Sequence, residues 1–81
     1  MALFERILGT FSATRALRQA VRLSERGDAK GAFALLSRAA RKRIPEAEYR
    51  VGRAYLEGAG VPPSRPQGVR WLERAATLID A

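Results

Sequence analysis

One stretch of this chain recurs further along, and the repeat limits the folds that the chain can adopt. Residues 28–40 read DAKGAFALLSRAA, and residues 64–76, which lie 36 positions further on, read SRPQGVRWLERAA. Leu36 corresponds to Leu72, and the alanine pair at 39–40 corresponds to the pair at 75–76. A period of this length is typical of helical solenoids, in which helix pairs stack because one pair alone cannot bury its apolar face.

Helix start and stop signals agree with a helical repeat. They predict a short N-terminal helix, followed by helices over about 13–26, 29–42, 45–57 and from Ser64 onward. Asp28 and Ser64 stand where an N-cap side chain is needed, and Gly27 and Gly58 stand where helices end. No segment alternates apolar and polar residues as a half-buried strand does. The sequence therefore predicts an all-α fold.

The C-terminal half carries a more specific pattern, which runs through a glycine turn and ends on a tryptophan and an alanine pair. The residues that carry it are Ala47, Tyr49, Val51, Gly52, Tyr55, Gly58, Gly60, Val61, Trp71, Ala75, Ala76 and Ala81. With these residues the chain resembles the Sel1-like repeat family, which is related to the tetratricopeptide solenoids. Ser64 replaces the family's aspartate and Gly68 replaces a small alanine, whereas Arg43 stands where a glycine usually separates units.

The resemblance implies a short right-handed α-solenoid of antiparallel helix pairs, with about two Sel1-like units. Residues 13–81 would form the repeat domain, with a degenerate unit at 13–44 and a well-matched unit at 45–81; an extra N-terminal amphipathic helix, 1–12, would precede it. Small residues would let the helices approach closely, aromatic residues would fill the wider spaces, and the glycine turn would set the angle of the pair. The residues with these structural roles are Tyr49, Gly52, Tyr55, Gly58, Gly60, Val61, Gly68, Trp71, Ala75 and Ala76.

Composition argues against catalysis and points to a charged partner. The chain has neither Cys nor His, so the commonest general acid/base and the usual soft metal ligands are missing. We therefore expect no enzyme, no catalytic residue, no metal site and no cofactor. The net charge of +7 suits an acidic protein surface or a nucleic acid. A surplus of Arg with no functional meaning explains the charge equally well.

The family resemblance implies a protein–protein interaction module. We expect a small adaptor or accessory subunit that binds and stabilises a larger protein complex, with a cytoplasmic location because no transmembrane or secretory segment is seen. The alternative is a basic accessory protein that binds nucleic acid, although no nucleic-acid motif supports it. About two units are fewer than a solenoid usually needs. The missing burial would come from the N-terminal helix, from self-association or from a large partner.

Two surfaces are candidates for partner binding. An apolar stripe on the N-terminal helix would cap the solenoid, dock on a partner or a second copy, or touch a membrane surface; it comprises Leu3, Phe4, Ile7, Leu8 and Phe11. An arginine row on the next helix would be a solvated face or a binding surface for an acidic peptide, since guanidinium groups pair well with carboxylates. This row comprises Arg15, Arg18, Arg22 and Arg26.

Overall fold

A computed structural model of the chain describes the backbone of residues 2–80 and the side chains of residues 14–77. Its four helices are α1 (Ala2–Glu25), α2 (Ala29–Arg41), α3 (Pro45–Glu57) and α4 (Arg65–Asp80). There is no strand within residues 2–80, so the predicted all-α class is confirmed. None of the helices in this part of the chain is long and apolar enough to cross a membrane.

The first helix includes the segment for which a separate N-terminal helix, 1–12, is predicted. The backbone of α1 is helical from Ala2 to Glu25. The side chains of the apolar stripe at 3–11 lie outside the described residues, so its packing and the division of the chain at residue 12 stay predictions.

The ends of α2, α3 and α4 follow the capping rules. The side chain of Asp28 accepts a hydrogen bond of 2.9 Å from the backbone N–H of Gly31, and Ser64 accepts one of 3.4 Å from Gln67. Pro45 opens α3, where its missing N–H would have had no helical partner. Gly58 ends α3 in the left-handed region with φ of 69°. The predicted caps at Asp28 and Ser64, the predicted start of a helix at Pro45 and its predicted end at Gly58 are therefore confirmed.

Helices that are consecutive in the chain pack against each other. The connections between them are short, and short connections join antiparallel neighbours. The pair α1–α2 is the first unit, the pair α3–α4 is the second, and the α2–α3 contact joins them. The core is built largely of small residues, which allow close helix packing: Ala20, Ala32, Leu36, Ala39, Ala40, Ala47 and Val51. This arrangement is the predicted short solenoid.

Within the second unit, two glycines bring the backbones of α3 and α4 together. A Cβ on Gly52 would lie 3.0 Å from the carbonyl oxygen of Gly68, and a Cβ on Gly68 would lie 3.0 Å from the carbonyl oxygen of Gly52. Each glycine thus faces the other helix's backbone. The motif needs small residues here because any side chain would push the two helices apart.

The glycine turn after α3 packs against the first unit. Gly60 has φ of 78°, and a Cβ on it would clash with the carbonyl oxygen of Ala29 at the start of α2. The backbone N–H of Ser64 donates a hydrogen bond of 2.9 Å to the carbonyl oxygen of Tyr55, which closes the loop back onto α3. The turn therefore fixes how the two units meet as well as how α3 pairs with α4.

Candidate functional site

A groove of about 240 Å³ lies between α2 and α3, with the C-terminal end of α1 at one side. Its floor consists mainly of small apolar residues, namely Ala29, Ala32, Ala54 and Ala59 together with Leu36. Its walls carry Phe33 from α2, Ser24 from α1, and a row of larger α3 side chains: Tyr49, Arg50, Arg53 and Glu57.

The groove lies beside an aromatic pair that packs between α2 and α3. Phe33 of α2 meets Tyr55 of α3 edge to face, with ring centroids 5.3 Å apart and an interplanar angle of 85°. Edge-to-face contacts are a favoured geometry for aromatic pairs. The alanines beside this pair do not fill the remaining width, which leaves a depression open to solvent.

The α3 wall of the groove presents an exposed aromatic ring between charged groups. Tyr49 is 45% exposed, and the guanidinium carbon of Arg53 lies 6.0 Å from its ring centroid. Arg53 Nη2 donates a hydrogen bond of 2.6 Å to Glu57 Oε2, and this bond stabilises the charged guanidinium and raises the pKa of Arg53. The side chains of this wall can donate and accept hydrogen bonds, and the Tyr49 ring can stack on a partner's side chain. Such groups can bind a partner protein.

Two ion pairs between residues four positions apart stiffen this wall. Arg50 Nη2 lies 3.1 Å from Glu46 Oε1, and Arg53 pairs with Glu57 in the same way. The spacing of these residues in the sequence predicts both pairs. Each pair is largely exposed, so it orients side chains more than it stabilises the fold.

A second polar cluster joins three elements at the far side of α3. Glu48 is fully buried, and its Oε2 lies 3.2 Å from Arg74 Nε on α4 and 3.6 Å from Arg43 Nε in the connection between α2 and α3. The Arg74 guanidinium in turn lies 4.8 Å from the ring centroid of Trp71. Neither carboxylate oxygen has a hydrogen-bond partner among the described residues. Charge attraction therefore holds this cluster together.

Sequence reasoning missed the Glu48 cluster. Arg43 has φ of 61°, a left-handed conformation uncommon for a residue other than glycine, and its Nε lies 3.6 Å from Glu48 Oε2. One signal in the sequence pointed to Glu48: it precedes Gly52 by four residues, so both share the helix face that meets α4. Within the described residues, no three His, Cys, Asp or Glu residues lie close enough to hold a metal ion.

The arginine row lies on a different surface from the groove. All four of its residues, Arg15, Arg18, Arg22 and Arg26, are exposed. At 3.6 residues per turn, the row lies on the side of α1 opposite Ser24, which borders the groove. The structure therefore offers two separate candidate binding surfaces.

The motif residues fall into four kinds of environment. Gly52, Gly68 and Ala75 are buried; Tyr55, Val61 and Trp71 are half-buried; Tyr49 and Ala76 are exposed; Gly58 and Gly60 have positive φ. Tyr49 is the most exposed of the three motif aromatic side chains, since Tyr55 packs on Phe33 and Trp71 lies beneath Arg74. Among the motif side chains, Tyr49 is therefore the best candidate for a role in binding.

Comparison with known proteins identifies the class. The family model described as Sel1 repeat matches residues 23–43 and 45–80, which together are more than half of the chain. The chain belongs to the Sel1 repeat family, as its resemblance to that family predicts. Sel1 repeats are non-catalytic helical repeats that generally mediate protein–protein interactions. No curated protein matches the chain, and no solved structure does.

Proposed function

We propose that this chain is a non-enzymatic adaptor or accessory subunit, cytoplasmic in location, that binds a larger protein complex through the groove. The observation that carries the proposal is the exposed Tyr49 ring above a floor of small apolar residues. Tyr and Arg are the side chains that most often dominate binding energy at protein interfaces. Here Tyr49 stands with Arg50 and Arg53 on one wall.

The size of the groove favours protein side chains as its occupants. Its volume of about 240 Å³ is below the roughly 300–1,000 Å³ typical of sites for small molecules. A few apolar side chains of a partner segment would fill the floor, and polar groups beside them would meet Arg50, Arg53 and Glu57. Such a site suits a peptide segment or helix of a partner protein.

A pull-down tests the class of partner. The tagged chain is incubated with lysate of its own cells, treated with nuclease, washed at low and at high salt, and the retained material is identified by mass spectrometry. We expect one protein in stoichiometric amount after both treatments. Material that disappears with nuclease would contradict the proposal and support the alternative, a basic nucleic-acid-binding accessory protein. The exposed arginine row favours that alternative, because arginine side chains contact phosphates.

Tyr49→Ala is expected to weaken binding of the retained protein at least tenfold, because truncating an interface hot spot costs about 2 kcal/mol or more and about 1.4 kcal/mol corresponds to a factor of ten. Binding is measured by titration with purified partner. Gln67→Ala is the control, since Gln67 is exposed on α4 and does not line the groove. Equal losses with both variants would show that the effect does not come from the groove.

The arginine row makes a separate contribution if the partner is acidic. Arg18→Glu together with Arg22→Glu is expected to leave the far-UV circular dichroism spectrum unchanged, because both side chains are exposed. The same change is expected to slow association with the partner and to reduce its salt dependence, since surface charges steer encounter. Unchanged association kinetics would remove the arginine row from the binding surface.

A further inference from the structure

One exposed side of α4, here called its outer face, differs from the corresponding side of α2. Arg65, Val69 and Glu73 follow one another at intervals of four residues, so they share one side of α4, and all three are exposed. Val69 is among the most exposed large apolar residues of the described chain, at 42%. The positions that precede these three by 36 residues are Ala29, Phe33 and Ser37, and all three are half-buried.

The face of α2 is covered by the second unit. Phe33 packs on Tyr55 of α3, and the carbonyl oxygen of Ala29 lies against Gly60. On α4 the same face carries charges in place of Ala29 and Ser37. A further repeat stacked there in the same manner would partly cover Arg65 and Glu73, as Ala29 and Ser37 are covered on α2, and removing water from two charges is costly. The outer face of α4 is therefore unsuited to another unit of the same kind.

The charges on this face are arranged symmetrically about the apolar residue. Arg65 lies four residues before Val69, and Glu73 lies four residues after it, so each charge is about 6 Å from Val69 along the helix axis. Neither Arg65 nor Glu73 forms an ion pair with another residue in the range 14–77. A face with this pattern is complementary to itself when one helix is turned end over end.

We propose that two copies of this chain pair through the outer faces of α4, antiparallel, with Val69 against Val69 at the twofold axis. In this arrangement each Arg65 meets Glu73 of the other copy, so both ion pairs form at once. A parallel arrangement in the same register would bring like charges together. Contacts of this kind, in which the same patch serves on both subunits, are the commonest in homodimers.

The proposed contact is small and leaves the groove open. One helix pair buries much less than the roughly 800 Å² per partner of a standard interface, so we expect a weak dimer with a dissociation constant on the order of 100 μM. None of the residues that line the groove belongs to α4. A dimer would present two grooves. The proposal that the groove binds a partner does not depend on this contact, and each proposal is tested separately.

Sedimentation equilibrium from about 10 μM to 1 mM tests the pairing, a range that brackets the expected dissociation constant. Val69→Arg is expected to raise the dissociation constant at least tenfold. Arg65→Glu alone and Glu73→Arg alone are also expected to raise it, since each places like charges opposite one another. The chain with both reversals, and an equimolar mixture of the two single variants, are expected to recover dimerisation, because both combinations restore opposite charges.

Arg70→Glu is the matched control. It makes the same charge change as Arg65→Glu on an exposed α4 residue that points about 100° away from Val69, and it is expected to leave the dissociation constant unchanged. Circular dichroism verifies that each variant is folded. A monomeric chain at 1 mM overturns the proposal, even if a different protein binds α4. If Val69→Arg still dimerises, the contact does not lie on the Val69 face of α4. If the double reversal does not recover dimerisation, the two helices do not pair in the proposed antiparallel register.

Discussion

Gly60→Ala will lower the free energy of unfolding by about 3 kcal/mol, whereas Gly27→Ala will lower it by only about 1 kcal/mol. Both glycines have a positive φ, 78° at Gly60 and 87° at Gly27, so alanine is strained at either position. The two sites differ in their surroundings. A Cβ on Gly27 would meet nothing within 4 Å, whereas one on Gly60 would clash with the backbone carbonyl of Ala29.

The comparison isolates the contact between the glycine turn and α2. Both variants change glycine to alanine, so they restrict the unfolded chain equally, and that effect cancels between them. Urea unfolding followed by circular dichroism at 222 nm gives both free energies. Equal losses at the two positions would show that backbone conformation alone demands glycine, and that the turn does not hold the two units together.

Arg74→Met is the second substitution with a large expected effect, and it will lower the free energy of unfolding by about 3 kcal/mol. Glu48 is fully buried, and Arg74 provides its closest positive charge at 3.2 Å. The Arg74 side chain is itself 46% exposed, but its removal leaves the fully buried Glu48 carboxylate with less compensating charge, and that is costly. Arg43 stays 3.6 Å from Glu48, which keeps the loss at the lower end of the usual range. The contact of Arg74 with Trp71 is also lost.

A double-mutant cycle separates the ion pair from other roles of Arg74. Glu48→Met in the Arg74→Met background is expected to recover most of the lost stability, because apolar residues of similar volume often replace a buried ion pair at no cost. Urea unfolding of the wild type, both single variants and the double variant measures the coupling. If Arg74→Met costs the same with and without Glu48, the ion pair contributes nothing and packing of the Arg74 stem explains the loss.

Local sequence signals predict much of the fold because each depends on neighbouring residues. The caps at Asp28 and Ser64, the proline start of α3 and the left-handed Gly58 need only a few adjacent residues to form. The repeat of 36 residues then indicates that helix pairs stack. Pairing of Arg53 with Glu57 follows from helical spacing alone. These features are visible in the sequence without knowledge of how the units meet.

The candidate site was harder to predict because it depends on contacts between units. Tyr49 and Tyr55 both belong to the motif, and the sequence assigns both to packing. The structure packs the half-buried Tyr55 against Phe33 and leaves Tyr49 45% exposed on the groove wall, a difference set by where α2 lies. The burial of Glu48 likewise depends on the approach of α4, which carries Arg74. Helical spacing gives the face of a residue but does not tell which faces are covered.

The central claim is that the groove binds a protein, and its most direct test is an affinity measurement with the protein recovered by pull-down. That partner is titrated into the wild type, Tyr49→Ala and Gln67→Ala, each verified as folded. We predict at least tenfold weaker binding for Tyr49→Ala and unchanged binding for Gln67→Ala, because Tyr49 lines the groove and Gln67 does not. Wild-type affinity in the Tyr49→Ala chain would contradict the claim and place the binding surface elsewhere on the molecule.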